Sequence, residues 1–313
     1  MEQIALVGAA GAIGKSIGAA LDRERRAYRV IGRHRAPLQK AFPSAGMFEW
    51  NPDDRASARM ALFGIDTLFY LVGVPYDQFQ LHPVVMRQTL DAAIAAGVER
   101  FVLIGTVYPY GIPQTTPVTE SHPRAPQTFK GKMRKAQEDL LLEADAAGKI
   151  RGTILRLPDF YGPGVAGSYL TDLFRAAAHG GRANMLGPID TPHEFVYVPD
   201  VGAVAVALAQ RDEAWGRWWH LAGAGTMTQR EIIERVFQMA GSKPKTLVAG
   251  KTMLRLLGLF NPLMRELVEM NYLLTTPVIM DDTALHGLLG KIHKTPYIDG
   301  LRETLNAARL NPA

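Results

Sequence analysis

Cysteine is absent from this chain, so disulfides, thiolate metal sites and cysteine nucleophiles are excluded. No apolar run reaches the roughly 18 residues that a membrane-spanning helix needs. Residues 253–274 come nearest, and Arg255, Arg265, Glu266 and Glu269 break them. Blocks of like charge are missing too. The 35 basic and 30 acidic residues spread along 313 positions for a formal +5, which suits a small anionic ligand and is too diffuse for a nucleic-acid track. The eight histidines show no ligand-like spacing with carboxylates, and no metal site is expected. The first residues, Met1-Glu2-Gln3-Ile4-Ala5-Leu6-Val7, run directly into a strand-like stretch and leave no room for a signal peptide. The expectation is a cytoplasmic protein that binds a small molecule, with neither nucleic acid nor membrane as partner.

What is present is an alternation of strand and helix signals. Short apolar runs at 4–7, 28–31, 47–50, 67–72, 101–104 and 153–155 are separated by amphipathic stretches at 13–22, 53–62, 83–96 and 132–147. Strand, helix, strand repeated in this way predicts right-handed crossovers and a doubly wound parallel sheet with helices on both faces. Leu68-Phe69-Tyr70-Leu71-Val72 is apolar without alternation, as in a strand buried on both sides. After Leu155 the pattern loosens. Pro158, Gly162, Pro163, Gly164 and Gly167 mark a long turn, followed by helical patterns at 169–179, 201–210, 229–240, 252–274 and 301–308. The spacing predicts an α/β sheet domain carrying a smaller, mostly helical C-terminal lobe.

Gly8-Ala9-Ala10-Gly11-Ala12-Ile13-Gly14 joins the first strand to the first helix. A turn at that point can bring backbone against a pyrophosphate only if side chains are missing, and the helix start supplies unpaired N–H groups. Gly8, Gly11, Ala12, Ile13 and Gly14 are therefore candidate dinucleotide-binding residues. NAD sites usually carry an acid at the end of the second strand, on the ribose hydroxyl. Here the segment reads Val30-Ile31-Gly32-Arg33-His34-Arg35, with no acid before Glu49. Arg33, with Arg35, offers forked donors for a 2′-phosphate, which favours NADP over NAD.

Further motifs follow in order. They are Trp50-Asn51-Pro52-Asp53-Asp54, Leu71-Val72-Gly73-Val74, Gly105-Thr106-Val107-Tyr108-Pro109-Tyr110-Gly111, and Leu155-Arg156 with Phe160-Tyr161-Gly162-Pro163-Gly164. Glu194-Phe195-Val196-Tyr197-Val198-Pro199-Asp200-Val201 closes the set. Together they resemble the extended short-chain dehydrogenase/reductase family, also called the NAD-dependent epimerase/dehydratase family, over nearly the whole chain. The resemblance implies a Rossmann-type dinucleotide-binding domain of 1–157 plus 195–222 and a substrate lobe of 158–194 plus 223–313. It puts Asn51 near the adenine, Leu71, Val72 and Gly73 on the cofactor face, Leu157 beside the nicotinamide, and Thr106 at the active-site Ser/Thr. Members of that family are often dimers through two such helices, here those that start near Pro83 and Lys132, and the sequence leaves monomer and homodimer both open.

The family's Tyr-x-x-x-Lys is where the chain departs. Counted back from Leu155-Arg156, the motif falls on Lys130-Gly131-Lys132-Met133-Arg134, with Glu138 on the family's glutamate. A shift by one puts Phe129 and Met133 there instead, which leaves no acid. The first register preserves Glu138 and the leucine face, and is preferred. In it Lys130 stands for the tyrosine and Arg134 for the lysine. Hydride transfer belongs to the cofactor, and the protein must stabilise charge on the reacting oxygen and supply a proton. Thr106, Lys130, Arg134 and Tyr108 are the candidate catalytic residues, with Tyr110 and Tyr161 as further donors. The reading is an NADP-dependent reductase or dehydrogenase of a small organic carbonyl or alcohol with an unorthodox proton donor. A nucleotide-sugar epimerase or dehydratase with tightly held cofactor, and a non-catalytic NADP sensor, are the alternatives.

Overall fold

A computed structural model describes residues 3–51 and 53–310. The chain runs β1 (Ile4–Val7), α1 (Ala12–Arg23), β2 (Tyr28–Gly32), α2 (Arg35–Ala41), β3 (Gly46–Glu49), α3 (Arg55–Leu62), β4 (Thr67–Tyr70), α4 (Leu81–Ala96), β5 (Arg100–Thr106), α5 (Phe129–Ala146) and β6 (Arg151–Leu157). It continues through β7 (Asp159–Tyr161), α6 (Thr171–His179), β8 (Ala183–Leu186), β9 (Pro192–Tyr197), α7 (Val198–Ala209) and β10 (Arg217–His220). The central sheet has seven strands in the order β10-β6-β5-β4-β1-β2-β3, and every pair in it is parallel. Strand order reverses between β1 and β4, and open α/β sheets bind ligands at that point, beyond the carboxyl ends of the strands.

Both faces of the sheet are buried, which accounts for strands without polar alternation. Leu6, Val30, Phe69, Val102 and Leu155 pack on one face with residues of α1 and α7. Ala5, Val7, Leu68, Tyr70, Phe101 and Ile154 pack on the other with residues of α3, α4 and α5. The α1–α7 contact is close because Gly202 has no side chain: a Cβ there would lie 2.0 Å from the Ser16 carbonyl oxygen. Ser16 completes the joint, donating to the Pro199 carbonyl (3.1 Å) and accepting from the Gly202 N–H (2.9 Å). Gly14-Lys15-Ser16-Ile17-Gly18 has the spacing of a hydrolase nucleophile elbow, but this serine is a buried helix-packing residue.

The lobe holds more strand than its sequence pattern predicts. β7 and β9 pair in parallel, and β11 (Thr226–Thr228) adds an antiparallel edge. After α8 (Gln229–Met239), β12 (Thr246–Ala249) pairs with β8. These strands have three to six residues, too short to show a period. Residues 252–274 divide into α9 (Lys251–Leu257), α10 (Pro262–Met270) and α11 (Tyr272–Thr275). The chain then forms α12 (Thr283–Leu289) and α13 (Tyr297–Leu310). At the start of α12, Asp281 accepts from Thr283 N–H at 2.8 Å. Asp282 instead binds Ala222 N–H and Lys294. Among the described residues, no helix is long and apolar enough to cross a membrane.

Candidate active site

The turn after β1 is shaped by what its glycines leave out. Gly8 has φ +80°, and a Cβ there would sit 2.8 Å from Val72 backbone atoms, so β1 and the end of β4 meet backbone to backbone. A Cβ on Gly14 would lie 2.1 Å from the Ala9 carbonyl oxygen, so only glycine lets the turn fold onto the helix. Gly11 faces open space. It is the N-cap of α1 and offers no side-chain cap, and no acid stands in the first turn. The first N–H groups and the positive end of the helix are thus left for a ligand.

Two adjoining cavities extend from this turn. One, about 480 Å³, runs past Arg33, Asn51 and Gln88 at the ends of β2 and β3. The other, about 620 Å³, runs along Gly11 and Ile13 to Thr106, Tyr108, Arg134 and Leu157. They share Gly8, Ala10, Val72 and Gly73, so they form one cleft of the size small-molecule sites have. Of the residues expected at a dinucleotide, Gly8, Gly11, Ala12, Ile13, Gly14, Arg33, Asn51, Leu71, Val72, Gly73, Thr106 and Leu157 all line it. Arg35 does not. It starts α2, and its N–H is taken by the Glu49 carboxylate at 2.5 Å. That leaves Arg33 as the arginine at the β2 end of the cleft, and it is exposed. Asn51 Oδ1 accepts from the Asp53 N–H (3.1 Å) in a tight turn.

At the far end, Thr106 closes β5, and its Oγ1 accepts from the Tyr108 N–H at 3.4 Å. Burial pushes the Tyr76 and Tyr108 phenols well above the ordinary phenol range. They remain protonated. Helix α5 then presents Lys130, Arg134 and Glu138 one turn apart, at 1%, 7% and 2% exposure, while Phe129 is 49% exposed and Met133 half-buried. The register that keeps Glu138 is therefore the inward-facing one. Glu138 pairs with fully buried Arg156 on β6 (Nε to Oε1, 2.9 Å) and with Arg124 (3.2 Å).

The three α5 residues go to different partners. Arg134 lines the cleft, donating to His82 Nδ1 (3.2 Å) and to the Ile104 carbonyl (3.3 Å). Lys130, expected as proton donor, does not line it. Its ammonium reaches Glu266 and Glu269 of α10, the latter at 2.9 Å, and lies 5.0 Å over the Tyr76 ring. An ammonium held by two carboxylates of α10 ties α5 to the lobe. Tyr110 donates to His220 Nε2 at 2.5 Å in the buried network behind Arg156. Tyr161 stacks on Tyr297 in the lobe core. Both rings are packing residues.

His82, Tyr76 and Phe79 line the cleft without having been expected there. One signal existed for His82: it shares the buried face of α4 with Met86, Thr89, Leu90 and Ala93, a polar residue on an apolar stripe. Among the described residues no group of three His, Asp or Glu could hold a metal.

Residues 4–218 match the NAD dependent epimerase/dehydratase family. The chain is 29% identical over 254 residues to a dTDP-6-deoxy-L-talose 4-dehydrogenase (NAD(P)(+)) of Kitasatospora kifunensis, covering 76% of this chain and 79% of that one. It is 32% identical over 160 residues to 2′-dehydrokanamycin reductase of Streptomyces kanamyceticus, covering 48% and 45%. The fold superposes with TM-score 0.83 at 19% identity on a dTDP-glucose 4,6-dehydratase of Streptomyces venezuelae crystallised with NAD, covering 98% and 97%. The glycine-shaped cleft, the strand order and the matched length agree, and the chain belongs to the NAD dependent epimerase/dehydratase family of extended short-chain dehydrogenase/reductases.

Proposed function

We propose that the protein is an NADP-dependent oxidoreductase that interconverts a carbonyl and an alcohol on a small organic substrate. The observation that carries the reading is the single cleft with a side-chain-free, uncapped helix start at its middle, an arginine at one end and buried donors at the other. The cradle left by Gly8, Gly11 and Gly14 fits a diphosphate, and Arg33, with no acid beside it on β2, fits a 2′-phosphate. Bound there, NADP supplies the hydride acceptor or, when reduced, the hydride donor.

The chain's own part is positioning and charge. Asn51 borders the adenine end, and Val72, Gly73 and Leu157 border the redox end. Thr106 and Tyr108 offer hydroxyl protons to the reacting oxygen, with Tyr108 kept protonated by burial. Arg134 brings positive charge to the site from a water-poor wall, where it acts strongly. The dinucleotide domain comprises 1–157 plus 195–222, and the rest forms the substrate lobe, which Lys130 anchors through α10. Two relatives are named for sugar dehydrogenation and for reduction of a dehydro-aminoglycoside, which supports a keto sugar or similar polyol as substrate.

A screen of keto sugars for NADPH oxidation tests this, and turnover with NADPH preferred to NADH is expected. Oxidised cofactor that survives dialysis, with sugar inversion and no net NADPH consumption, would establish an epimerase instead. Val107-Tyr108, standing where sugar dehydratases carry an acidic pair after the threonine, weighs against a dehydratase.

A further inference from the structure

We propose that His82 is a catalytic residue of this reaction, its Nε2–H donating to the reacting carbonyl oxygen while Arg134 fixes its tautomer. The proposal rests on the reading of the cleft as a hydride-transfer site and names the donor that α5, which has no tyrosine, does not supply.

Geometry assigns the proton. A guanidinium has only donors, so the 3.2 Å contact from Arg134 Nη1 makes His82 Nδ1 an acceptor. In a neutral ring the hydrogen then sits on Nε2. Arg134 is itself held by the Ile104 carbonyl at the end of β5, next to Gly105 and Thr106. The ring is also held edge-on by Phe79, with centroids 4.8 Å apart at 75°. Among the described residues no protein group hydrogen-bonds to Nε2, and it is not one of the sealed polar atoms that lack partners. His82 lines the cleft together with Thr106 and Tyr108, so the free Nε2–H belongs to whatever fills it. Burial first, and the adjacent guanidinium second, hold the imidazole pKa down to about 2. The ring is a neutral donor across the working pH range, a role neutral imidazole fills where a carbonyl oxygen gathers charge.

In the reducing direction the carbonyl carbon gains a C–H bond with hydride from reduced nicotinamide, and the π pair moves onto oxygen. That oxygen takes the Nε2 proton, and the ring is reprotonated from bulk solvent, so the reduction consumes one hydride and one solvent proton overall. Arg134 offsets the transient negative charge on the ring. Thr106 and Tyr108 supply the remaining hydrogen bonds.

The test combines nitrogen-15 NMR of the histidine rings with kinetics. Wild-type His82 is expected as the Nε2–H tautomer without titration between pH 5 and 9, and its ring signals move when NADP⁺ saturates the cleft. With NADPH and phenanthrenequinone as a carbonyl probe, His82→Phe should lower kcat by about 10²- to 10³-fold, the loss typical of one oxyanion donor. His82→Gln, which keeps an N–H, should recover most of it, and KM for NADPH should change less than about threefold in both. An Nδ1–H tautomer, ring signals indifferent to NADP⁺, or His82→Phe turnover within threefold of wild type overturns the proposal. Where the quinone is not turned over, the NMR outcomes decide alone. Wild-type protein that binds no NADPH at all defeats the reading of the cleft itself, which a fluorescence titration reports separately.

Discussion

Gly14 has no room for a methyl group and Gly8 has no room for any side chain that keeps its φ. On the proposed reading, what those two positions leave out shapes a phosphate cradle, and Arg33 sets a preference for the 2′-phosphate. A guanidinium–phosphate pair contributes about 1.5–3 kcal/mol. Arg33→Ala should therefore weaken NADPH about 10- to 100-fold in a fluorescence titration and leave NADH within threefold. Arg35→Ala, off the cleft wall, should change neither.

Buried titratable residues give a second prediction. His82 and His220 have pKa values lowered to about 2 and about 4, mainly by burial. The unfolded chain binds their protons first, so their contribution is complete above 6.5 and is lost as pH falls below it. The slope is about 1.4 kcal/mol per pH unit for each ring. Glu194 runs the other way: burial raises it from 4.5 to about 8, so the folded state prefers the acid form. Its contribution is complete below 4.5 and is lost as pH rises through 8. Urea midpoints should show Glu194→Gln gaining on wild type steadily up to pH 8. An unchanged pH profile in that variant would contradict the burial argument.

At the scale of elements, α5 joins three parts of the molecule through three residues one turn apart. Glu138 holds β6 through Arg156, Arg134 meets α4 at His82, and Lys130 holds α10. Removing one partner of a buried pair leaves the other charge stranded, at about 3–5 kcal/mol. Glu138→Ala should lose that much in urea unfolding. Lys130→Met should cost less, because Glu266 and Glu269 keep 25% and 24% exposure. It should instead raise hydrogen exchange across α10 while NADPH affinity stays unchanged.

The same elements show what a single sequence carries. The strands of the main sheet, α1 and the glycine turn were legible because apolar runs, helical period and backbone demands coincide there. Helix α2 was not: it is seven residues with Pro37 in its first turn. Strands β7, β8, β11 and β12 of the lobe were missed for their length. In the site, the cleft wall was legible because it follows strand ends. The distal end was not, because His82, Tyr76 and Phe79 meet α5 only through tertiary packing, and because the two glutamates that claim Lys130 lie about 140 positions away in sequence.

In the whole molecule, ligand and fold should be coupled through one cleft. The cleft draws its walls from the ends of β1, β2, β4, β5 and β6 and from the 164–166 loop of the lobe, so nucleotide bound there stabilises the folded state by mass action. At a hundred times Kd that is about 2.7 kcal/mol, a rise of roughly 4 °C in Tm at about 2.1 cal/mol/K of unfolding entropy per residue. The most direct measurement is calorimetric titration of purified protein with NADPH. One site per chain with micromolar or tighter Kd is expected, together with that thermal shift and weaker binding of NADH. No heat and no thermal shift with either nucleotide would contradict the assignment of the glycine turn as a diphosphate cradle.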